Sequence, residues 1–148
     1  MEIERKFTVK TLPADLDSYP FRIIEQAYLN TAPVIRIRRE DDSFYLTYKG
    51  KGLMAREEYN LPLDRASYEH LLPKADGACI SKKRYLIPCP PYTIELDVFA
   101  EPFAPLIIAE VEFPSVEEAN AFVPPEWFDR DVTQDPAYQN SNLSKRTG

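Results

Sequence analysis

Met1-Glu2-Ile3-Glu4-Arg5-Lys6-Phe7 opens the chain. On a β-strand the side chains alternate faces with a period of two, so Glu2, Glu4 and Lys6 share one face and Ile3, Arg5 and Phe7 the other. A half-buried strand normally turns apolar residues inward and leaves scattered polar ones in water. Here two carboxylates and an ammonium stand in a row. Burying them is costly unless something multiply charged sits among them. For this strand alone, a solvated outer face is an equally good explanation.

Recurrence decides between the two. Arg36 and Arg38 repeat the pattern against Ile35 and Ile37, and Lys82 and Arg84 repeat it in Ile80-Ser81-Lys82-Lys83-Arg84-Tyr85. Glu95 and Asp97 alternate with Ile94, Leu96 and Val98; Glu110 and Glu112 alternate with Ala109, Val111 and Phe113. Lys49 ends the strand-like run Phe44-Tyr45-Leu46-Thr47-Tyr48-Lys49, and Glu58 lies in Arg56-Glu57-Glu58-Tyr59. Cross-strand ion pairs on an open sheet face explain any one of these pairs. They do not explain the whole series. Several strands with charged faces of both signs predict a sheet curled around a charged interior, as in a barrel that encloses a ligand.

The strands are expected at about 2–9, 22–30, 34–40, 43–49, 56–62, 79–87, 92–99 and 106–113. Asp41-Asp42 reads as a tight hairpin, Gly50-Lys51-Gly52 opens a turn, and Pro88-Cys89-Pro90-Pro91 reads as a rigid connector. A short helical turn is expected between Asp15 and Tyr19. Asp64 caps a helix expected to run to about Lys74, unless Pro73 ends it sooner. Ser115 and Glu118 have the spacing of a capping box, for a helix ending before Pro124-Pro125. Asp135-Pro136 starts a final helix to about Lys145, packing through Tyr138 and Leu143 and against Trp127. The expected fold is α+β and mainly antiparallel β: one domain over residues 1–148, an eight-stranded closed β-barrel with a few peripheral helices.

The 148 residues are 44% hydrophobic, which argues against disorder. A net charge of −6 disfavours nonspecific nucleic-acid binding. No apolar run reaches the length of a membrane span and no export signal opens the chain, so a cytoplasmic protein is expected. Cys79 and Cys89 fit no zinc spacing and are read as reduced packing or loop residues. His70, the single histidine, is expected at the surface, which leaves histidine chemistry unsupported.

Lys6, Arg36, Arg38, Lys49, Lys82 and Arg84 are the candidate interior cations. So many suit a polyanion, with arginine pairs gripping phosphate oxygens. Glu2, Glu4, Glu58, Glu95, Asp97, Glu110 and Glu112 offer hard oxygen donors of the kind Mg²⁺ or Mn²⁺ takes together with substrate phosphate. No glycine-rich phosphate loop is present, so side chains must hold the phosphates.

Glu2-Ile3-Glu4-Arg5-Lys6 resembles the EXEXK signature of the CYTH superfamily, the triphosphate tunnel metalloenzymes. The other segments quoted, with Gln26-Ala27-Tyr28-Leu29 and the tail Asp131-Val132-Thr133-Gln134-Asp135-Pro136, follow in the family's order. The resemblance implies an eight-stranded tunnel that binds triphosphate and divalent metal, closed at one end by a C-terminal plug helix. It implies phosphate binding by Lys6, Arg36, Arg38, Lys49, Lys82, Arg84 and, on the plug helix, Lys145. It implies metal binding by Glu2, Glu4, Glu110 and Glu112, with Glu58 and Asp97 as further ligands or as supports just behind the ligands. Catalytic roles are implied for Glu4, Lys6, Lys82, Glu112 and Tyr28. Many members have a second acid where this chain has Asn60. The motif set is most similar to small bacterial-type inorganic triphosphatases, which implies hydrolysis of tripolyphosphate to pyrophosphate and phosphate by a monomer or homodimer. The alternatives are a thiamine triphosphatase, a class IV adenylyl cyclase, or a noncatalytic polyphosphate- or nucleotide-binding module.

Overall fold

The structure, a computed structural model, describes residues 1–145. The strands are β1 (Glu2–Val9), β2 (Phe21–Thr31), β3 (Val34–Glu40), β4 (Ser43–Lys49), β5 (Ala55–Arg56), β6 (Glu58–Leu63), β7 (Asp76–Cys89), β8 (Tyr92–Phe99), β9 (Ile107–Glu112) and β10 (Phe128–Asp131). They form one antiparallel sheet in the order β10-β1-β9-β8-β7-β2-β3-β4-β6. The expected mainly antiparallel β fold is observed, and it differs in strand count and in how the ends of the sheet meet. The described residues hold ten strands, not eight. Among the described residues no ladder joins β6 to β1 directly; β5, one residue before β6, pairs with β1 at Glu2↔Arg56 and Ile3↔Ala55.

The turns follow their residues. Asp41 takes φ 53°, a left-handed conformation that aspartate tolerates, and the chain reverses between Glu40 and Ser43. The connector expected at Pro88-Cys89-Pro90-Pro91 is shorter than predicted, because β7 continues through Cys89 and pairs Pro88 with Thr93. The amide of Leu86 points toward the β2 edge, where it bonds the Pro20 carbonyl. Pro88, two residues on, turns its nitrogen to the same edge, beyond the end of β2. Its missing N–H therefore breaks no ladder.

Helices cover the outer faces. Asp64 accepts the Ser67 amide at 2.7 Å and caps α1 (Arg65–Leu71); a 3-10 turn, Leu72–Lys74, takes over at Pro73. Tyr68 of α1 packs on Ala27 and Ile37. Ser115 accepts the Glu118 amide and caps α2 (Val116–Ala121), but the Glu118 carboxylate accepts the Tyr92 hydroxyl at 2.7 Å. Trp127 stacks edge-on against Phe128, in the cluster of Phe7, Leu96, Val111 and Phe113 under α2, and not against the C-terminal helix as expected. No described helix is long and apolar enough to cross a membrane.

The expected C-terminal helix over 136–145 is a 3-10 turn, Pro136–Tyr138, followed by the four-residue α3 (Asn140–Leu143). Its Leu143 is 1% exposed and packs with Tyr28, Val34, Ile80, Phe99 and Ile108. Ile80 lies on the inward face of β7 with Lys82 and Arg84, and Ile108 on that of β9 with Glu110. An apolar floor under α3 therefore closes one end of the charged interior. Leu143→Ala should destabilise the protein by about 2–4 kcal/mol in denaturant unfolding, as expected for truncating a fully buried leucine. A loss below about 1 kcal/mol would mean that α3 is not docked on this floor.

Candidate active site in the charged interior

The inward faces enclose a cavity of about 210 Å³. Lys6, Arg22, Arg36, Arg38, Lys49, Arg56 and Arg84 line it, with Glu2, Glu4, Glu40, Glu58, Glu95, Glu110 and Glu112. Seven cations and seven carboxylates leave it formally neutral, but the signs are segregated. Carboxylates dominate β1, β8 and β9; the basic wall is on β2, β3 and β7.

Pairing register builds the acidic wall. Glu4 lies opposite Glu112 and Lys6 opposite Glu110 on the β1–β9 ladder. Carboxylate oxygens of Glu2, Glu4 and Glu112 come within 4.8 Å of one another. Three converging oxygen donors fit a divalent cation such as Mg²⁺ or Mn²⁺. Electrostatics points the same way. Burial, then Glu95, Glu2, Glu4 and Glu58, pushes the Glu112 carboxyl up to about 7. Burial, then Glu110 and Glu2, raises Glu4 as well, against the pull of Lys6 and Lys49. Lys49 Nζ lies 2.9 Å from Glu2 and 3.4 Å from Glu58, and Arg56 Nε lies 3.6 Å from Glu2.

Asp97, expected as a further metal ligand or a support behind the ligands, and Glu110, expected as a ligand, both contact cations. Asp97 is fully buried and absent from the cavity lining. It accepts Arg84 Nε at 2.7 Å and Nη2 at 2.9 Å, and Lys82 Nζ lies 2.7 Å away. Glu110 lies 3.3 Å from Arg84 Nη2 and 3.8 Å from Lys6 Nζ. Burial opposes its ionisation, but Lys6, Arg84 and Lys82 outweigh burial and hold the carboxyl well below the usual range. Asp97 and Glu110 thus anchor cations. The Glu58 carboxylate, at the edge of the acidic wall, is 22% exposed.

The basic wall is less neutralised. The Arg36 guanidinium is buried and donates from Nη2 to Thr47 Oγ1 at 3.0 Å, while its Nε has no partner. Among the described residues no carboxylate forms an ion pair with it. Burial and the neighbouring Arg38 lower its pKa. Arg38 donates from Nε to Gln26 Oε1 at 2.8 Å, which fixes the guanidinium plane. Gln26 in turn donates to the Tyr28 hydroxyl at 3.0 Å. A buried arginine with an orphaned donor, on an otherwise polar wall, fits an anionic ligand.

Lys82 has no exposed side-chain surface. It sits between Asp97 and Asn140 Oδ1, at 3.3 Å, and burial pulls its ammonium down to about 8. Lys145, expected on the plug helix, is exposed and outside the lining; Asn140 and Ser141 of α3 reach the cavity instead. Asn60 accepts Thr47 Oγ1–H at 2.6 Å and so braces the residue holding Arg36.

Arg22, Glu40, Tyr45, Arg56, Asn140 and Ser141 line the cavity without having been singled out as site residues. Alternation carried the signal for Tyr45, two residues from Thr47 and four from Lys49, and for Glu40, two residues beyond Arg38.

The raised acids couple stability to pH. Folded protein retains protons on Glu112 up to about pH 7, whereas an ordinary carboxyl releases them near 4.5. Over that interval the folded state binds more protons than the unfolded, so stability of metal-free protein falls as pH rises from about 4.5 to 7. Melting temperature should drop accordingly, and Mg²⁺ or Mn²⁺ should restore more of it at pH 8 than at pH 5.5. An ion effect independent of pH would place the cation away from Glu112.

Comparison with known proteins fits this geometry. The CYTH domain family model matches residues 1–120. An inorganic triphosphatase of Nitrosomonas europaea is 40% identical over 148 residues, covering 97% of this chain and 96% of that protein. One from Acetivibrio thermocellus is 36% identical over 153 residues, covering 97% and 93%. The crystal structure of an inorganic triphosphatase superposes with a TM-score of 0.74 at 36% identity, over 99% of this chain and 96% of the other. The chain belongs to the CYTH domain family.

Proposed function

We propose that the protein is a divalent-metal-dependent hydrolase that cleaves inorganic tripolyphosphate to pyrophosphate and phosphate. The observation that carries the reading is the pairing, in one cavity, of a carboxylate triad with a buried arginine that has an unsatisfied donor. The names of the two relatives support the choice of tripolyphosphate.

In this reading Glu2, Glu4 and Glu112 hold Mg²⁺ or Mn²⁺. The bound ion would neutralise phosphate oxygens and acidify a water molecule beside it. The chain's own groups do the rest. Arg36 and Arg38 grip phosphate oxygens from β3, with Arg38 oriented by Gln26. Lys6 reaches into the cavity between Glu4 and Glu110, where it can meet charge that develops on the transferred phosphoryl group. Arg84 adds cationic surface while Asp97 holds it in place. Lys82 acts from behind the wall, through Asn140, whereas Tyr28 lines the cavity and accepts a hydrogen bond from Gln26.

Phosphate release from tripolyphosphate, ATP and thiamine triphosphate, measured side by side, tests the reading. Tripolyphosphate should lead ATP in kcat/KM by about tenfold or more, or about 1.4 kcal/mol in transition-state binding. Excess chelator should abolish turnover, and Glu4→Gln should lower kcat by about a hundredfold or more, the scale of a lost electrostatic group. Cyclic AMP formed from ATP at a comparable rate would replace the reading with a cyclase.

Arg36→Met separates binding from stability. The substitution removes a buried charge with no carboxylate partner, so the ligand-free protein should melt at the wild-type temperature or above it. Tripolyphosphate should then raise the melting temperature of the variant far less than that of wild type. Equal shifts would remove Arg36 from the binding wall.

A further inference from the structure

Arg36, Arg38 and Glu40 succeed one another on the cavity face of β3. The two arginines are buried; the Glu40 side chain is 16% exposed and lies toward the rim. The basic track therefore ends in a carboxylate. Glu40 Oε2 accepts Arg22 Nη1 at 2.8 Å, Oε1 accepts the Tyr45 hydroxyl at 3.3 Å, and Oε1 is 3.8 Å from Arg38 Nη1. All four residues line the cavity. The Arg22 side chain is 49% exposed, so the Arg22–Glu40 pair lies within reach of water and holds weakly.

A carboxylate at the end of an anion track opposes the ligand that the track attracts. Its position gives that opposition a use. A phosphate chain seated on Arg36 and Arg38 that continued outward would bring its next phosphoryl group against Glu40. A neutral substituent in the same place would feel no such repulsion. We propose that Glu40, backed by Arg22, is a specificity-determining residue that sets the outer limit of the phosphate chain and selects against inorganic polyphosphates longer than tripolyphosphate. The inference rests on the tripolyphosphate reading and deepens it.

The experiment compares kcat/KM for tripolyphosphate, linear tetrapolyphosphate and ATP in wild type, Glu40→Gln and Arg22→Gln. Glu40→Gln keeps the shape of the side chain and removes its charge. The tetrapolyphosphate-to-tripolyphosphate ratio should rise by about threefold or more, the size of one screened repulsion between charges at a wet rim. The ATP-to-tripolyphosphate ratio should stay at the wild-type value, because the nucleoside is uncharged there. Arg22→Gln leaves Glu40 less neutralised, so the tetrapolyphosphate ratio should move the other way. This opposite sign separates a charge gate from general loosening of the fold. An unchanged tetrapolyphosphate ratio in both variants, or an equal rise for tetrapolyphosphate and ATP, overturns the gate alone. Failure of the wild type to cleave tripolyphosphate overturns the gate together with the reading beneath it.

Discussion

Ionised groups can be buried inside a sheet only when each is answered by another charge or by dense hydrogen bonding. That constraint organises this molecule. Among the described residues the buried charged side chains are six cations, Lys6, Arg36, Arg38, Lys49, Lys82 and Arg84, against four carboxylates, Glu2, Glu4, Asp97 and Glu110. Asp97 answers two cations at once, and Glu110 lies between Lys6 and Arg84. The unanswered surplus falls on β3, at Arg36. Antiparallel register is what allows this: a one-residue slip on β1 would turn Glu2, Glu4 and Lys6 outward and drive Arg5 into the lumen. The outer residues hold that register from the other side. Phe7 packs on Phe128 with ring centroids 4.8 Å apart, and Arg5 donates to the carbonyls of Ala119 and Phe122.

Neutrality of the lining and segregation of its signs have separate consequences. A chain of net charge −6 with a formally neutral cavity exerts no long-range pull on a free polyanion. What the cavity offers is a dipole: carboxylates on β1, β8 and β9 facing guanidinium groups on β2 and β3. A ligand that is itself divided into cation and polyanion matches both walls, whereas either part alone matches one. Metal and triphosphate should therefore favour each other's binding, each removing the like-charge repulsion that the other wall leaves in place.

Much of this was legible in the sequence, because strand alternation assigns a face without knowledge of the fold. β1, β3, β4 and β8 fall at the predicted bounds, and every charged pair read as inward is on an inward face. Alternation does not report depth along the strand. Ile80 shares a face with Lys82 and Arg84, yet it belongs to the apolar floor; Asp97 shares a face with Glu95, yet it is sealed behind Arg84. Depth depends on strand stagger, which a single sequence does not display. β10 was missed because Phe128-Asp129-Arg130-Asp131 has one apolar residue and no alternation; it is a strand because β1 supplies an edge, with Phe7 opposite Asp131. Lys145 lies exposed, outside the cavity lining, because α3 stops at Leu143. Trp127 was misplaced because adjacency in sequence stood in for adjacency in space.

Ligand-free, the cavity is the least satisfied part of the fold. Glu112 and Glu4 are pushed toward protonation by burial and by neighbouring carboxylates, and Arg36 keeps an unpartnered Nε. An apolar replacement of such groups would often give a more stable barrel. Their persistence makes sense as preorganisation: the opposing charges are fixed by backbone register and by braces such as Gln26 on Arg38 and Asp97 on Arg84, so that binding need not assemble them. Electrostatic tension relieved by a bound species appears twice, as affinity and as added stability of the complex. With α3 closing the floor, that relief is directed to the far end, where the partly exposed Glu58, Glu95 and Arg22 mark the mouth. Substrate arrival and product departure must then share one rim. The rim carries carboxylates beside cations, so once the chain is cut and its charge divided, the groups that admitted the substrate do not retain the fragments with equal strength.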